Sequence, residues 1–217
     1  MSANVSTTKL KKGDRSQRAI KAAARKVFEA DGFTKARVQD IAAEAGFSNG
    51  AFYRYFSDKT SVMMALLKDL VEGTLAFARE PLGSGHPTNS IYLTTHSYLE
   101  FYAENRDLFA LLVEASHTHP DVETMWNELR TEAVEHVTHM LDTARDSGHM
   151  RAEVDPQTAA ELLTAMTDQY AYLRFVLDRM PEQSVEAVSR QVTEIWSGGV
   201  FMSPAAPRIA AAQQTVT

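Results

Sequence analysis

Asn49, Gly50, Tyr53 and Arg54 lie on one six-residue stretch, and together they carry the chemistry needed to grip and read a nucleic acid. The amide of Asn49 can pair with the edge of an adenine. The Arg54 guanidinium can hold guanine or a phosphate, and the Tyr53 phenol can reach a phosphate oxygen. Ser48, just before them, suits the N-cap of a short helix. Gly50 and Ala51 keep the start of that helix slim enough to approach base edges, and its partial positive charge favours phosphate. Phe52 and Phe56 fall four apart and must face a core, which leaves Asn49, Tyr53 and Arg54 on the outer side.

Such a probe needs a support. Ile20, Ala23, Ala24, Val27 and Phe28 form an i, i+3, i+4, i+7, i+8 stripe that predicts a helix from about Asp14 to Asp31, with Gly32 at its C′ position. A second, short helix is expected from about Arg37, with Val38, Ile41, Ala42 and Ala45 inward and Gly46 ending it. The small Ala42 and Ala45 allow close approach, and a tight glycine turn then presents the next helix as a reading element. Ser57 is expected to cap a fourth helix running through Met64, Leu67, Leu70 and Val71 to about Ala78.

The charge pattern agrees. The chain of 217 residues has a net charge of −6, yet residues 1–60 hold twelve Lys/Arg against six Asp/Glu, and residues 61–217 hold ten against twenty-two. A basic head on an acidic body is expected to bring only the head to a polyanion. There is no cysteine, which excludes disulfides and thiolate metal sites and fits a cytoplasmic protein. No apolar run approaches the roughly 20 residues needed to span a bilayer, so no membrane partner is expected. The polar, basic N-terminus has no apolar run behind it and does not resemble a secretory signal.

Beyond the head, Pro81–Pro87 reads as a loop. Helices are expected at about 89–104, 106–117, 121–147, 156–179 and 183–200. Asp155-Pro156 supplies a cap followed by proline at the first helical position. With no strand pattern and no repeat, the fold class is all-α: an N-terminal three-helix helix-turn-helix domain and a larger C-terminal helical ligand-binding and dimerisation domain. The expected boundaries are a flexible basic arm at 1–13, the reading head at 14–60, the body at 61–202 and a disordered tail at 203–217.

Val38, Asp40-Ile41-Ala42, Ala45-Gly46, Ser48, Gly50, Phe52-Tyr53, Tyr55-Phe56 and Lys59 resemble the tetracycline-repressor (TetR) family of transcriptional regulators. The resemblance covers residues 14–67, with an echo at Gly148–Pro156 that looks like the turn before the penultimate helix of that family. It implies a homodimeric repressor on a palindromic double-stranded operator, released by a small effector bound in the body. The DNA-contacting set expected is Arg37, Ser48, Asn49, Gly50, Ala51, Tyr53, Arg54, Tyr55 and Lys59. Two positions depart from the family pattern. Ala36 stands where a capping hydroxyl is usual, which weakens the second helix start by about 1 kcal/mol unless a neighbour substitutes. Ala51 replaces a common threonine and offers a methyl suited to thymine.

Leu163, Met166, Tyr170, Leu173, Leu177 and Met180 follow 3, 4, 3, 4, 3 spacings, like a coiled-coil seam. Val185, Val188, Val192, Ile195 and Trp196 make a second stripe. The resemblance implies that these helices build the dimer interface, with Leu173, Leu177, Val188, Val192, Ile195 and Trp196 in it. The aromatic and thioether side chains of the body suit a small-molecule cavity, and the resemblance implies one, with Tyr98, Tyr102, Phe109, Trp126, Met166, Gln169 and Tyr170 as candidate lining. An apolar wall and an acidic field favour a lipophilic effector that is neutral or cationic. Arg106, Arg130 and Arg174 keep open an acidic one such as an acyl thioester. Control by a protein partner is the alternative within the same class. No cofactor, metal cluster or nucleophile–base spacing stands out, and an enzyme is not expected.

Overall fold

A computed structural model describes residues 12–79 and 87–201, and among these it contains helices and no strand. The expectations for the N-terminal arm, the 81–87 loop and the C-terminal tail lie outside the described residues, apart from the arm's last two residues and Pro87, which are helical. The helices are α1 (Lys12–Lys35), α2 (Val38–Glu44), α3 (Asn49–Phe52), α4 (Lys59–Arg79), α5 (Pro87–Glu104), α6 (Arg106–Ser116), α7 (Pro120–Asp146), α8 (Pro156–Ala171) and α9 (Val185–Val200). No described helix is long and apolar enough to cross a membrane.

Two compact units emerge. The first runs through Leu75 and takes in Glu104–Leu129; the second holds Ala76–Ala103 and the chain from Arg130 onward. The three-helix head expected at 14–60 therefore belongs to a larger unit that also contains most of α4, all of α6 and the beginning of α7. The apolar stripe of α1 is what anchors it: Ile20, Ala23, Ala24, Val27 and Phe28 are all buried, and α1 packs against both α2 and α6. Burying one such large side chain stabilises by about 1.5–3 kcal/mol.

Gly32 leaves the helical region (φ 74°, ψ 155°), as its C′ placement requires, but the chain resumes a helical turn to Lys35. Gly46 (φ 73°) closes the turn between α2 and α3, where Phe47 N–H bonds the carbonyl of Ala42 at 2.8 Å. The start of α4 differs from expectation. Asp58, not Ser57, caps it: its Oδ1 accepts from the N–H of Ser61 at 2.7 Å, while the Ser61 hydroxyl accepts from the N–H of Asp58 at 3.3 Å. Asp58 stands directly before Lys59, so its carboxylate reaches the N3 amide of Ser61, which Ser57, one residue further out, is too far away to meet.

In the second unit, Asp155 caps α8 through the N–H and hydroxyl of Thr158, at 2.9 and 2.8 Å. The Gly148 turn before it is tied to the end of α9, where Arg151 N–H bonds the carbonyl of Val200 at 3.0 Å. The helix expected to reach residue 179 is not continuous. α8 stops at Ala171 and passes into a π-helical segment, Tyr172–Val176, followed by Asp178 at φ 50°. α8 packs against α9, and its buried residues include Ala159, Ala160, Leu163, Thr167 and Ala171.

Candidate nucleic-acid interface

The reading segment is held from beneath. Phe52 is fully buried and its ring meets those of Tyr53 (5.5 Å, edge-on) and Phe56 (6.0 Å). Phe56 itself is half-buried, so Phe52 alone is the deep anchor. Ser48 caps α3 by accepting the N–H of Ala51 at 3.3 Å. Above this support Ser48, Asn49, Gly50, Tyr53 and Arg54 are exposed and Tyr55 is half-buried. Tyr53 is 57% exposed despite its aromatic ring, which is a cost in water unless another surface covers it. Arg54 has no ion-pair partner among the described residues. A Cβ added at Gly50 would meet nothing within 4 Å, so packing within the chain does not demand glycine there.

Three members of the expected contact set are placed otherwise. Ala51 is buried at 8% exposure, because the position three after the cap turns inward with Phe52; its methyl does not present itself to a thymine. Lys59 is bound inside the head. Its ammonium donates to the carbonyls of Phe33, Thr34 and Ala36 at 2.8, 3.0 and 3.0 Å and lies 4.8 Å over the Phe33 ring. Three N–H donors meet three carbonyls at the end of α1, a cationic cap on the negative end of a helix dipole, and leave none for phosphate. Arg37 is exposed but pairs with Asp40, Nε to Oδ2 at 2.8 Å and Nη2 to Oδ1 at 3.1 Å. That pair depresses the Asp40 carboxyl and raises the Arg37 guanidinium, in both cases chiefly through the hydrogen bond itself. No side chain caps α2, in line with Ala36, which is itself buried.

One feature of the head carried no sequence signal. Arg25 of α1 reaches the start of α6, where it grips Asp107 with two bonds and bonds Asn105 Oδ1 and the Glu104 carbonyl, each at 3.1 Å. The residues lie about eighty positions apart, and no local pattern joins them.

The body residues sort by face. Tyr102 and Phe109 are buried, Tyr98 and Trp126 half-buried. Phe109 and Trp126 belong to the first unit, Tyr98 and Tyr102 to the second. Met166 (38% exposed) and Gln169 are exposed on α8 and Tyr170 is half-buried, so Met166 and Gln169 do not line an interior wall; the inward positions of α8 are taken by Leu163, Thr167 and Ala171. The expected dimer set divides too. Val188, Val192 and Trp196 are buried within the chain, because α9 turns its strongest stripe to its own unit; Ile195 is 63% exposed. Leu173 and Leu177 are half-buried at the π segment, where the change in helical pitch breaks the 3–4 seam. Leu162, 61% exposed four residues before Met166, is the outward apolar residue that the seam reading missed.

The second unit also holds a polar cluster. The Tyr98 hydroxyl donates to Asp168 Oδ1 at 2.9 Å. Desolvation raises the Asp168 carboxyl, against the opposing pull of the Tyr98 bond and the Arg130 charge. Tyr98 and Tyr102 are both pushed far above the usual phenol range, first by burial and then by the Asp168 charge. Two buried polar atoms on the same stretch, Thr167 Oγ1 and Arg174 Nε, have no hydrogen-bond partner among the described residues. His136, beside His139, is lowered mainly by burial, and no group of three metal-ligating side chains occurs among the described residues.

A helix-turn-helix whose second helix and the turn that follows it expose an amide, a phenol and a guanidinium defines a DNA-binding regulator. Two family models match: the TetR-family bacterial regulatory proteins over residues 20–66, and the C-terminal domain of the transcriptional regulator EthR over residues 93–201. The chain belongs to the TetR family of transcriptional regulators. It is 23% identical to the transcriptional regulator EthR of Mycolicibacterium smegmatis over 87% of this chain and 88% of the other. Among solved structures, it resembles GusR of Salmonella enterica (TM-score 0.69, 21% identity, 88% and 96% of the two chains). It is similar also to SmeT in its complex with triclosan (TM-score 0.69, 18% identity, 89% and 95%).

Proposed function

We propose that this regulator is a ligand-responsive repressor that binds a palindromic operator as a homodimer and is released by a small lipophilic effector. The observation that carries the DNA reading is the exposed set Asn49, Gly50, Tyr53 and Arg54 standing over buried Phe52. Asn49 and Arg54 read bases; Tyr53 and the helix start hold phosphate. Arg37 joins them once DNA phosphate competes with Asp40 for its guanidinium. Dimerisation is supported by exposed Leu162, Met166 and Ile195, large apolar side chains on the last two helices that a lone chain would leave in water. SmeT, a neighbour in fold, carries triclosan in its solved complex, which favours a lipophilic effector here as well. The effector acts by binding the form that does not fit DNA more tightly, by a coupling of about 1–3 kcal/mol.

The test is a gel shift on the DNA upstream of the protein's own gene, at several salt concentrations, with mass measured by light scattering. One dimer or a pair of dimers on a two-fold site, with affinity falling steeply with salt, is the expected result. Binding that ignores both sequence and the Asn49→Ala and Arg54→Ala changes would refute the reading head.

A further inference from the structure

Asp168 is half-buried on α8, on the flank of the face that buries Leu163, Thr167 and Ala171. Its carboxylate has one hydrogen bond among the described residues, from the Tyr98 hydroxyl at 2.9 Å. No Lys, Arg or His closes an ion pair on it. Carboxylates removed from water ordinarily collect several donors or a cation, because each unmatched lone pair costs desolvation energy. Beside this one stand the charge of Arg130, which acts on it without an ion pair, and aromatic rings. Tyr98 meets Tyr102 edge-on at 5.8 Å, and Tyr102 meets Phe175 at 6.1 Å. Ring faces attract positive charge and suit apolar bodies, but give an anion nothing. One turn after Asp168, at Tyr172, the helix changes to a π segment, a feature frequent at functional sites.

We propose that Asp168 is the anchoring anion for a cationic effector, a lipophilic amine whose ammonium donates to the carboxylate while its apolar part lies against Tyr98, Tyr102 and Phe175. The proposal rests on the ligand-responsive reading above and narrows it to one charge class. An incoming ammonium supplies the donors that Asp168 lacks, so an arrangement that costs the free protein stability becomes favourable in the complex. The raised carboxyl fits, since a group that burial alone disfavours gains most from a new positive neighbour. The surplus of twelve acidic charges over residues 61–217 attracts amines toward the body. The opposing anchor is Arg174, whose buried Nε has no partner although its Nη1 pairs with Asp178 at 3.2 Å. An acidic effector would go there.

Three probes of one shape separate the classes: 4-phenylbutylamine, 4-phenylbutanol and 4-phenylbutyrate, titrated calorimetrically into the full-length protein at neutral pH. The amine is expected to bind about tenfold or more tighter than the alcohol, the margin of one charge-assisted hydrogen bond. In Asp168→Asn, which keeps an acceptor for Tyr98, that margin should vanish while the protein stays folded and melts no lower. An amine preference that survives Asp168→Asn overturns the proposal. So does preference for the butyrate that disappears in Arg174→Gln, or no amine binding at millimolar concentration. Operator release is scored separately by gel shift: amine binding without release leaves Asp168 as the anchor and counts against the ligand-responsive reading, whereas release by another class without amine binding does the reverse.

Discussion

Arg25 of α1 and Asp107 of α6 form a two-pronged ion pair, Nε to Oδ2 at 2.6 Å and Nη2 to Oδ1 at 2.5 Å. Asp107 is only 13% exposed, and the remaining Arg25 donors reach Asn105 and the Glu104 carbonyl. This joins the first helix of the reading head to a helix that the sequence assigns to the body, and both fall in one compact unit. The Arg25 guanidinium is raised, first by its hydrogen bond to Asp107.

Arg25→Ala is therefore expected to destabilise the protein by about 1–3 kcal/mol, because it strips a charged partner from a half-buried carboxylate. Urea denaturation of Arg25→Ala, Asp107→Ala and the double variant measures the coupling. Single and double losses that simply add would show that the pair contributes nothing.

Lys59→Met should lower the melting temperature, since three carbonyls at the end of α1 lose their donor. The slope of log affinity against log salt should stay unchanged, whereas loss of a phosphate contact would reduce it by about one. The two outcomes separate a helix cap from a DNA contact in a single titration.

Gly50→Ala should leave stability equal or slightly higher, because alanine suits a helix and the added methyl meets nothing within 4 Å. Operator affinity should fall, as that methyl comes between the helix start and the DNA. Unchanged affinity on the best operator would place Gly50 away from the bases.

Ile195→Glu and Leu162→Glu are expected to give folded monomers by light scattering and circular dichroism, since both side chains are exposed in the single chain. Val192→Glu should unfold the protein instead, because it puts a charge among buried residues of its own unit. Dimers persisting in both exposed variants would move the interface elsewhere.

The pH profile carries the signature of Asp168. Its folded carboxyl is raised above the ordinary value by burial, with Tyr98, Tyr102 and Arg130 as its charged or titratable neighbours. The folded state thus binds this proton more tightly than the unfolded chain, and the group costs stability when ionised. That cost disappears as pH falls through the raised value. Asp168→Asn should raise the denaturation midpoint at neutral pH and remove this contribution to the profile; a lower midpoint in the variant would mean that the charge is stabilising.

Local periodicity and capping chemistry were enough to specify most of the helices, though not the break after Ala171 or the Asp58 cap, and with them the stripe from Ile20 to Phe28, the Gly46 turn, the Ser48 and Asp155 caps and the exposure of Asn49, Tyr53 and Arg54. These depend on neighbours three or four positions away, which a sequence displays directly. Which of two faces of a helix meets its own core is decided by partners distant in the chain, so the burial of Val188, Val192 and Trp196 and the outward turn of Leu162 and Met166 emerged only from packing. The same holds for Lys59, which the family resemblance put among the DNA contacts and which the carbonyls of Phe33, Thr34 and Ala36 hold inside the head. Arg25 with Asp107 and Tyr98 with Asp168 are pairs between elements some eighty and seventy positions apart. A charged side chain looks alike on a solvated face and in a closed interior, and only the tertiary structure supplies the partner that gives it a role.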